Sequence, residues 1–207
     1  TIAVGAFSFT GLKNVVIPEG VERIDKTAFE NCWSLESISI PSTLKTLTNI
    51  DVGVFYGCTN LKKVYISDLK AWCEIAVASH YAFPTCYGAD LYLNGELLTD
   101  VVIPEGVTEI FNDAFSDREN IRSVVIPNSV IKIGKCAFEN CRDLTHIVIP
   151  MGVKKIGDHA FRFCSKLKKV EIPNSVTSLG SGTFAFCDGL ERVALSNNIT
   201  RIGSWVF

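Results

Sequence analysis

A fixed step of 23 residues governs this chain and constrains what it can fold into more than any other feature. Pro18 and Pro41 lie 23 apart, Pro104, Pro127, Pro150 and Pro173 follow one another at the same step, and Ser196 takes the next place. Phe115, Phe138, Phe161, Phe184 and Phe207 keep the same interval. Repetition at a period of roughly 20 to 50 residues sets the fold class, because one such unit cannot bury its apolar side chains alone while stacked neighbours can.

Each unit reads Leu-x-x-Val-x-Ile-Pro, then x-x-Val-x-x-Ile-Gly, then x-x-Ala-Phe-x-x-Cys, as from Leu144 to Pro150, through Ile156 and Gly157, to Ala160, Phe161 and Cys164. The segment before the proline carries β-branched residues and reads as a short strand. Proline ends the ladder, having no N–H to donate. Three apolar segments per unit imply three walls, and coils about 4.8 Å apart would place like residues above like residues. The register gives regular turns starting at Pro18, Pro41, Pro104, Pro127, Pro150 and Pro173, an irregular turn over 67–103, and partial units at 1–17 and 196–207. The spacing predicts one continuous parallel sheet formed by the strands before the prolines, with the phenylalanines stacked opposite.

The first residues fall in mid-repeat, so the chain reads as an excerpt of a larger protein with uncapped ends. At 47% hydrophobic and 20% charged residues it has ample material for an ordered core. A net charge of -2 supplies no cationic surplus for nucleic acid or an anionic membrane. No apolar run approaches the roughly 18 residues of a membrane span, so direct membrane insertion of this segment is not expected.

The Leu-x-x-Val-x-Ile-Pro and Ala-Phe-x-x-Cys elements resemble those of the BspA-like, or Treponema-type, leucine-rich repeats of bacterial surface proteins, over nearly the whole chain. The resemblance implies a leucine-rich-repeat solenoid of 23-residue units over 1–207, with a parallel sheet on one face and short helical or irregular segments on the other. It also implies a cell-surface or secreted, non-catalytic interaction or adhesion module whose partner is a host or microbial protein. No cofactor is expected.

Five of the eight cysteines, Cys32, Cys58, Cys141, Cys164 and Cys187, hold one repeat position, three residues after the phenylalanine. Stacked residues point their Cβ atoms in parallel about 4.8 Å apart, whereas a disulfide needs them near 3.8 Å and converging. The column therefore reads as buried free thiols packing as small hydrophobes, and a line of thiolates cannot surround zinc. Cys73 and Cys86, in the irregular turn, leave a bridge open. Asp113, Cys136 and His159 occupy another column, two residues before the phenylalanine, and suggest a nucleophile, a base and an orienter. A flat solenoid wall offers no pocket for such chemistry, and the same column holds Thr27, Gly182 and Trp205, so it reads as a variable surface position.

Strand alternation turns the two residues flanking each inward valine toward solvent. This gives a stripe through Asn14/Val16, Ser37/Ser39, Lys63/Tyr65, Ser123/Val125, His146/Val148, Lys169/Glu171 and Arg192/Ala194. Tyr65, His146, Lys169 and Arg192 are its candidate partner-binding residues. The irregular turn is the second candidate. It reads as a capped short helix from Ser67 to Ile75 and a hairpin around Asn94-Gly95, with aromatics Trp72, Tyr81, Phe83, Tyr87 and Tyr92. Trp72 and Tyr81 are its candidate contacts. Those aromatics would suit glycan recognition, or they could simply pack among themselves, leaving a structural spacer.

Overall fold

The computed structural model describes residues 1–48, 53–77 and 83–207. The chain forms two compact units, Thr1–Leu98 and Thr99–Phe207. In the first unit the elements run β1 (Asn14–Val16), β2 (Arg23–Ile24), β3 (Ser37–Ser39), β4 (Thr46–Leu47), β5 (Lys63–Ile66), α1 (Leu69–Cys73), β6 (Ala76–Val77), a short 3-10 turn (Pro84–Tyr87), β7 (Asp90–Leu93) and β8 (Glu96–Leu97). The second contains β9 (Asp100–Val102), β10 (Glu109–Ile110), β11 (Ser123–Val125), β12 (Lys132–Ile133), β13 (His146–Val148), β14 (Lys155–Ile156), β15 (Lys169–Glu171), β16 (Ser178–Leu179), β17 (Arg192–Ala194) and β18 (Arg201–Ile202).

Each coil has three walls. The strand before the proline makes the first, with ladders β1-β3-β5-β7-β8 in one unit and β9-β11-β13 and β15-β17 in the other. All neighbours are parallel and in repeat register except the closing hairpin of β7 and β8. The Val-x-x-Ile segment, which the sequence did not mark as paired, makes a second parallel wall, β2-β4-β6 and β10-β12-β14-β16-β18. The Ala-Phe-x-x-Cys segment makes the third, a run of tight turns rather than helix.

The unbroken first-wall sheet expected from the repeat is not formed: within the second unit β13 and β15 share no ladder. A three-residue strand holds only a few hydrogen bonds at about 1 kcal/mol each. Opening one rung therefore costs little while β12, β14 and β16 keep the same coils paired on the second wall.

Packing follows the period. Val64, Val101, Val124, Ile147 and Val170 point inward and are buried, and so are Phe29, Phe55, Phe115, Phe138, Phe161 and Phe184 of the phenylalanine column. Phe7, Phe29 and Phe55 stack with centroids 5.1 and 5.3 Å apart. Phe115, Phe138, Phe161, Phe184 and Phe207 do the same at 5.2, 5.4, 5.3 and 5.9 Å, their planes within a few degrees of parallel. Near-parallel stacking at this separation is imposed by the coil spacing, which fixes where each ring starts.

The turn wall is stitched by backbone bonds from one coil to the next. Asp113, Phe115 and Asp117 N–H groups donate to the carbonyls of Lys135, Ala137 and Glu139 at 3.0, 2.8 and 2.8 Å. In the later coils of the second unit glycine is required where the second wall meets the turn, a position that Asp25, Thr48 and Phe111 hold elsewhere: a Cβ on Gly180 would come within 2.4 Å of the Asp158 backbone nitrogen, and one on Gly157 within 2.6 Å of that of Lys135.

Replacing Phe138 with alanine is expected to cost about 3–5 kcal/mol, from lost packing plus a cavity between two rings. Gly180→Ala should cost about 1–3 kcal/mol because the atom it meets is backbone and cannot rotate away. Urea denaturation reads both, and an unchanged midpoint for either variant would contradict the packing described.

Candidate binding face

Alternation along the first-wall strands decides which side chains reach solvent. His146 and Val148 flank buried Ile147, Lys169 and Glu171 flank buried Val170, and Arg192 and Ala194 are exposed on β17. Over β13, β15 and β17 this stripe lines an open groove of about 690 Å³. Its other side is the corner after the proline, formed by Asn128, Met151 and Asn174. Val148 and Met151, 59% and 63% exposed, give it an apolar floor. His146, Lys169 and Glu171 supply charge and hydrogen bonding. The Lys169 ammonium bonds Glu171 at 2.5 Å. That bond, reinforced by the charges of Arg192 and His146, holds the Glu171 carboxyl below its ordinary value. Lys169 and Glu171 remain exposed, so the pair is screened by water and contributes little to stability.

The corner residues were not singled out by the sequence reading, although the column after each proline was visible as Glu19, Ser42, Glu105, Asn128, Met151 and Asn174. The stripe of the second unit also begins earlier than expected, with Asp100 and Val102 on β9, where Leu98 to Pro104 matches the repeat motif.

On the first unit, Lys63 and Tyr65 lie on β5, and the insertion returns to the same sheet. β7 pairs with β5 so that Tyr65 faces Tyr92, with rings 5.1 Å apart and the Lys63 ammonium 5.9 Å from the Tyr92 ring. The Asn94-Gly95 turn has φ of 51° and 87°, the left-handed pair of a type I′ hairpin. The helix is capped by Asp68, whose carboxylate accepts from the Ala71 N–H at 3.0 Å.

Trp72 is corrected as a contact residue. It is 2% exposed and packs on Phe83 at 4.9 Å, because the helix has its own core to fill. Tyr81 and His80 lie outside the described residues, as does the side chain of Cys86. Cys73 is a buried free thiol.

The Asp113, Cys136 and His159 column is a surface position only in part: Trp205 is exposed and Thr27 and His159 are half-buried. Asp113 and Cys136 are each 4% exposed. Its variability has a backbone origin: Thr27, Asp113, Cys136, His159, Gly182 and Trp205 all have φ between 53° and 61°, a left-handed turn that no side chain but glycine favours. Burial and the Glu139 carboxylate both hold the Cys136 thiol protonated. The stack therefore lacks an activated nucleophile. The His159 ring lies over Gly182, where a Cβ would come within 2.3 Å of its Nδ1.

The cysteine column is made of buried free thiols, but they do more than fill space. Each donates to the carbonyl of the phenylalanine in the preceding coil: Cys32 to Phe7 and Cys58 to Phe29 at 3.0 Å, Cys141 to Phe115 and Cys164 to Phe138 at 3.3 Å, and Cys187 to Phe161 at 3.1 Å. Weak S–H donors thus add a bond from the next coil to carbonyls that, at Phe7, Phe29, Phe138 and Phe161, already accept a backbone N–H of their own coil. Burial pushes Cys58 and Cys141 from their ordinary 9.0 up to about 12.

Short coils with a parallel strand wall, a stacked phenylalanine wall and a repeating leucine define a leucine-rich-repeat solenoid. The sequence matches the BspA type leucine rich repeat region, in six copies, over residues 1–91 and 85–207. The chain belongs to this family. Among solved structures it is similar to the pneumococcal vaccine antigen PcpA, at 19% identity and a TM-score of 0.63, covering 97% of this chain and 56% of that one. A Bacteroides ovatus leucine-rich repeat protein gives 23% identity and 0.53, covering 98% and 66%. The Treponema pallidum protein TpLRR gives 27% and 0.46, covering 92% and 72%. The chain thus spans only part of each of these proteins. No curated protein matches it.

Native-state thiol labelling should leave Cys141 and Cys164 unmodified, while both react in the denatured chain. A raised thiol pKa favours the folded state fully below pH 9.0 and is lost as pH climbs toward about 12. The stability penalty of Cys141→Ala should therefore shrink as pH rises through that window. A penalty constant with pH, or fast native labelling, would contradict the burial described.

Proposed function

We propose that the outward strand stripe is a protein-binding face, and that the chain is the adhesive part of a bacterial cell-surface or secreted protein. The groove over β13, β15 and β17 carries this reading: it joins exposed apolar side chains to charged ones at its rim, the composition of a protein interface. Family membership supports an interaction module, since leucine-rich-repeat proteins are commonly built for binding on a rigid repeat face. The surface location rests on the family's bacterial-surface character. The Tyr65 and Tyr92 pair gives the first unit a smaller contact on the same kind of face. With Trp72 buried, a glycan site built on the insertion loses its largest ring, so protein is the favoured partner there too.

The test is binding of the purified chain to immobilised serum and extracellular-matrix proteins, with Tyr65→Ala, His146→Ala, Lys169→Ala and Arg192→Ala beside the parent chain. These side chains reach solvent, so each variant should keep its stability within about 0.5 kcal/mol. Affinity for a partner on this face should fall by roughly ten-fold for at least one of them. Affinity that survives all four changes and is lost on Arg162→Ala or Phe186→Ala, on the turn wall, would overturn the assignment, as would binding to glycans alone.

A further inference from the structure

A second trench, of about 440 Å³, runs along the other β wall of the second unit, over β12, β14, β16 and β18. Its chemistry differs from that of the strand groove. Lys132, Lys135, Lys155 and Arg201 line it, with Asp158 as the carboxylate among them. Gly157, Gly180 and Gly203 form a floor without side chains, held bare because a Cβ there would strike the backbone of the preceding coil. Ser178 and Ser181 add hydroxyls.

The charges are not consumed internally. Lys132 bonds Glu109 at 2.5 Å, but among the described residues Lys135, Lys155 and Arg201 have no carboxylate partner. The Asp158 carboxylate accepts the Ser181 N–H at 2.7 Å, which fixes it against the next coil. On the equivalent wall of the first unit the outward positions are Arg23, Thr46 and Ala76, and Arg23 is neutralised by Asp25 at 2.6 Å. The unpaired cations are thus a local feature of the second unit, in a chain of net charge -2.

We propose that this trench binds a linear acidic polysaccharide, its carboxylate or sulfate groups meeting Lys135, Lys155 and Arg201 in turn. Lys155 and Arg201 share a column two coils apart, roughly 10 Å, and Lys135 stands one coil before Lys155 in the neighbouring column, so an extended chain running along the wall passes all three. The bare glycine floor admits sugar rings edge-on, and the serines match sugar hydroxyls. The lining has no aromatic residue on which a base could stack, and stacking is what a single-stranded nucleic acid would use. The site is independent of the strand groove, which lies on the other wall.

The experiment is calorimetric titration of the full chain with a heparin-derived oligosaccharide, with single-stranded oligonucleotide and uncharged dextran as comparison probes. Saturable heparin binding that weakens with salt is expected, with Lys135→Ala/Lys155→Ala reducing affinity by about ten-fold or more and lowering the salt slope by one to two charges. Lys169→Ala/Arg192→Ala, on the strand face, should leave it unchanged. Thermal melts showing both double variants folded separate lost contacts from lost structure. Absence of heparin binding would overturn the proposal. So would retention of affinity in Lys135→Ala/Lys155→Ala, equal loss in the strand-face variant, or tighter binding of the oligonucleotide through the same lysines.

Discussion

The close approach of one coil to the next is the constraint on which the rest of each unit depends. Backbone donors of the strand and second walls find their acceptors in the adjacent coil, and those of the turn wall divide between the adjacent coil and their own. Every coil must therefore present its neighbours with the same path at the same height. The phenylalanine stack, the thiol donors and the glycines at the second corner answer that single demand in three ways. Rings fill the interior at the imposed spacing, thiols bond carbonyls of the preceding coil, and in the later coils glycine removes the atom that would hold two backbones apart.

Most of the architecture was legible because a repeat writes its constraints many times. Pro127, Pro150 and Pro173 mark the end of the first wall, Phe115, Phe138 and Phe161 mark the core, and the alternation around Ile147 and Val170 marks the outward stripe. The hairpin was equally plain, since Asn94 and Gly95 tolerate the left-handed conformation it requires. Less visible were features that the period does not encode. Two-residue strands such as Lys132–Ile133 are too short to show alternation, so the second wall did not read as a sheet. Burial of Asp113 and Cys136 depends on how tightly the turn folds over them, and the variety of residue types in that column suggested a surface instead. The groove was half legible: the strands supplied His146 and Lys169, but its far side depends on Met151 and Asn174 rising from the corner, which no pattern within one unit reveals.

The two β walls of the second unit divide the work of presenting chemistry. On the first, a proline corner lifts side chains and makes a groove with an apolar floor. On the second, a glycine corner removes them and leaves a polar trench. The same backbone path thus produces opposite surfaces from one residue choice per corner, and substitutions in outward columns can alter either surface without disturbing the core.

The thiol column bears on how such a chain survives its own synthesis. Eight cysteines in a chain of 207 residues would ordinarily invite mispairing wherever oxidants are present. Here Cys58, Cys141 and Cys164 act as protonated donors that close with the coil, so packing covers them. No crosslink among them is needed to complete the core. The order of these coils therefore rests on stacking and hydrogen bonds, with the column thiols serving as donors rather than as crosslinks.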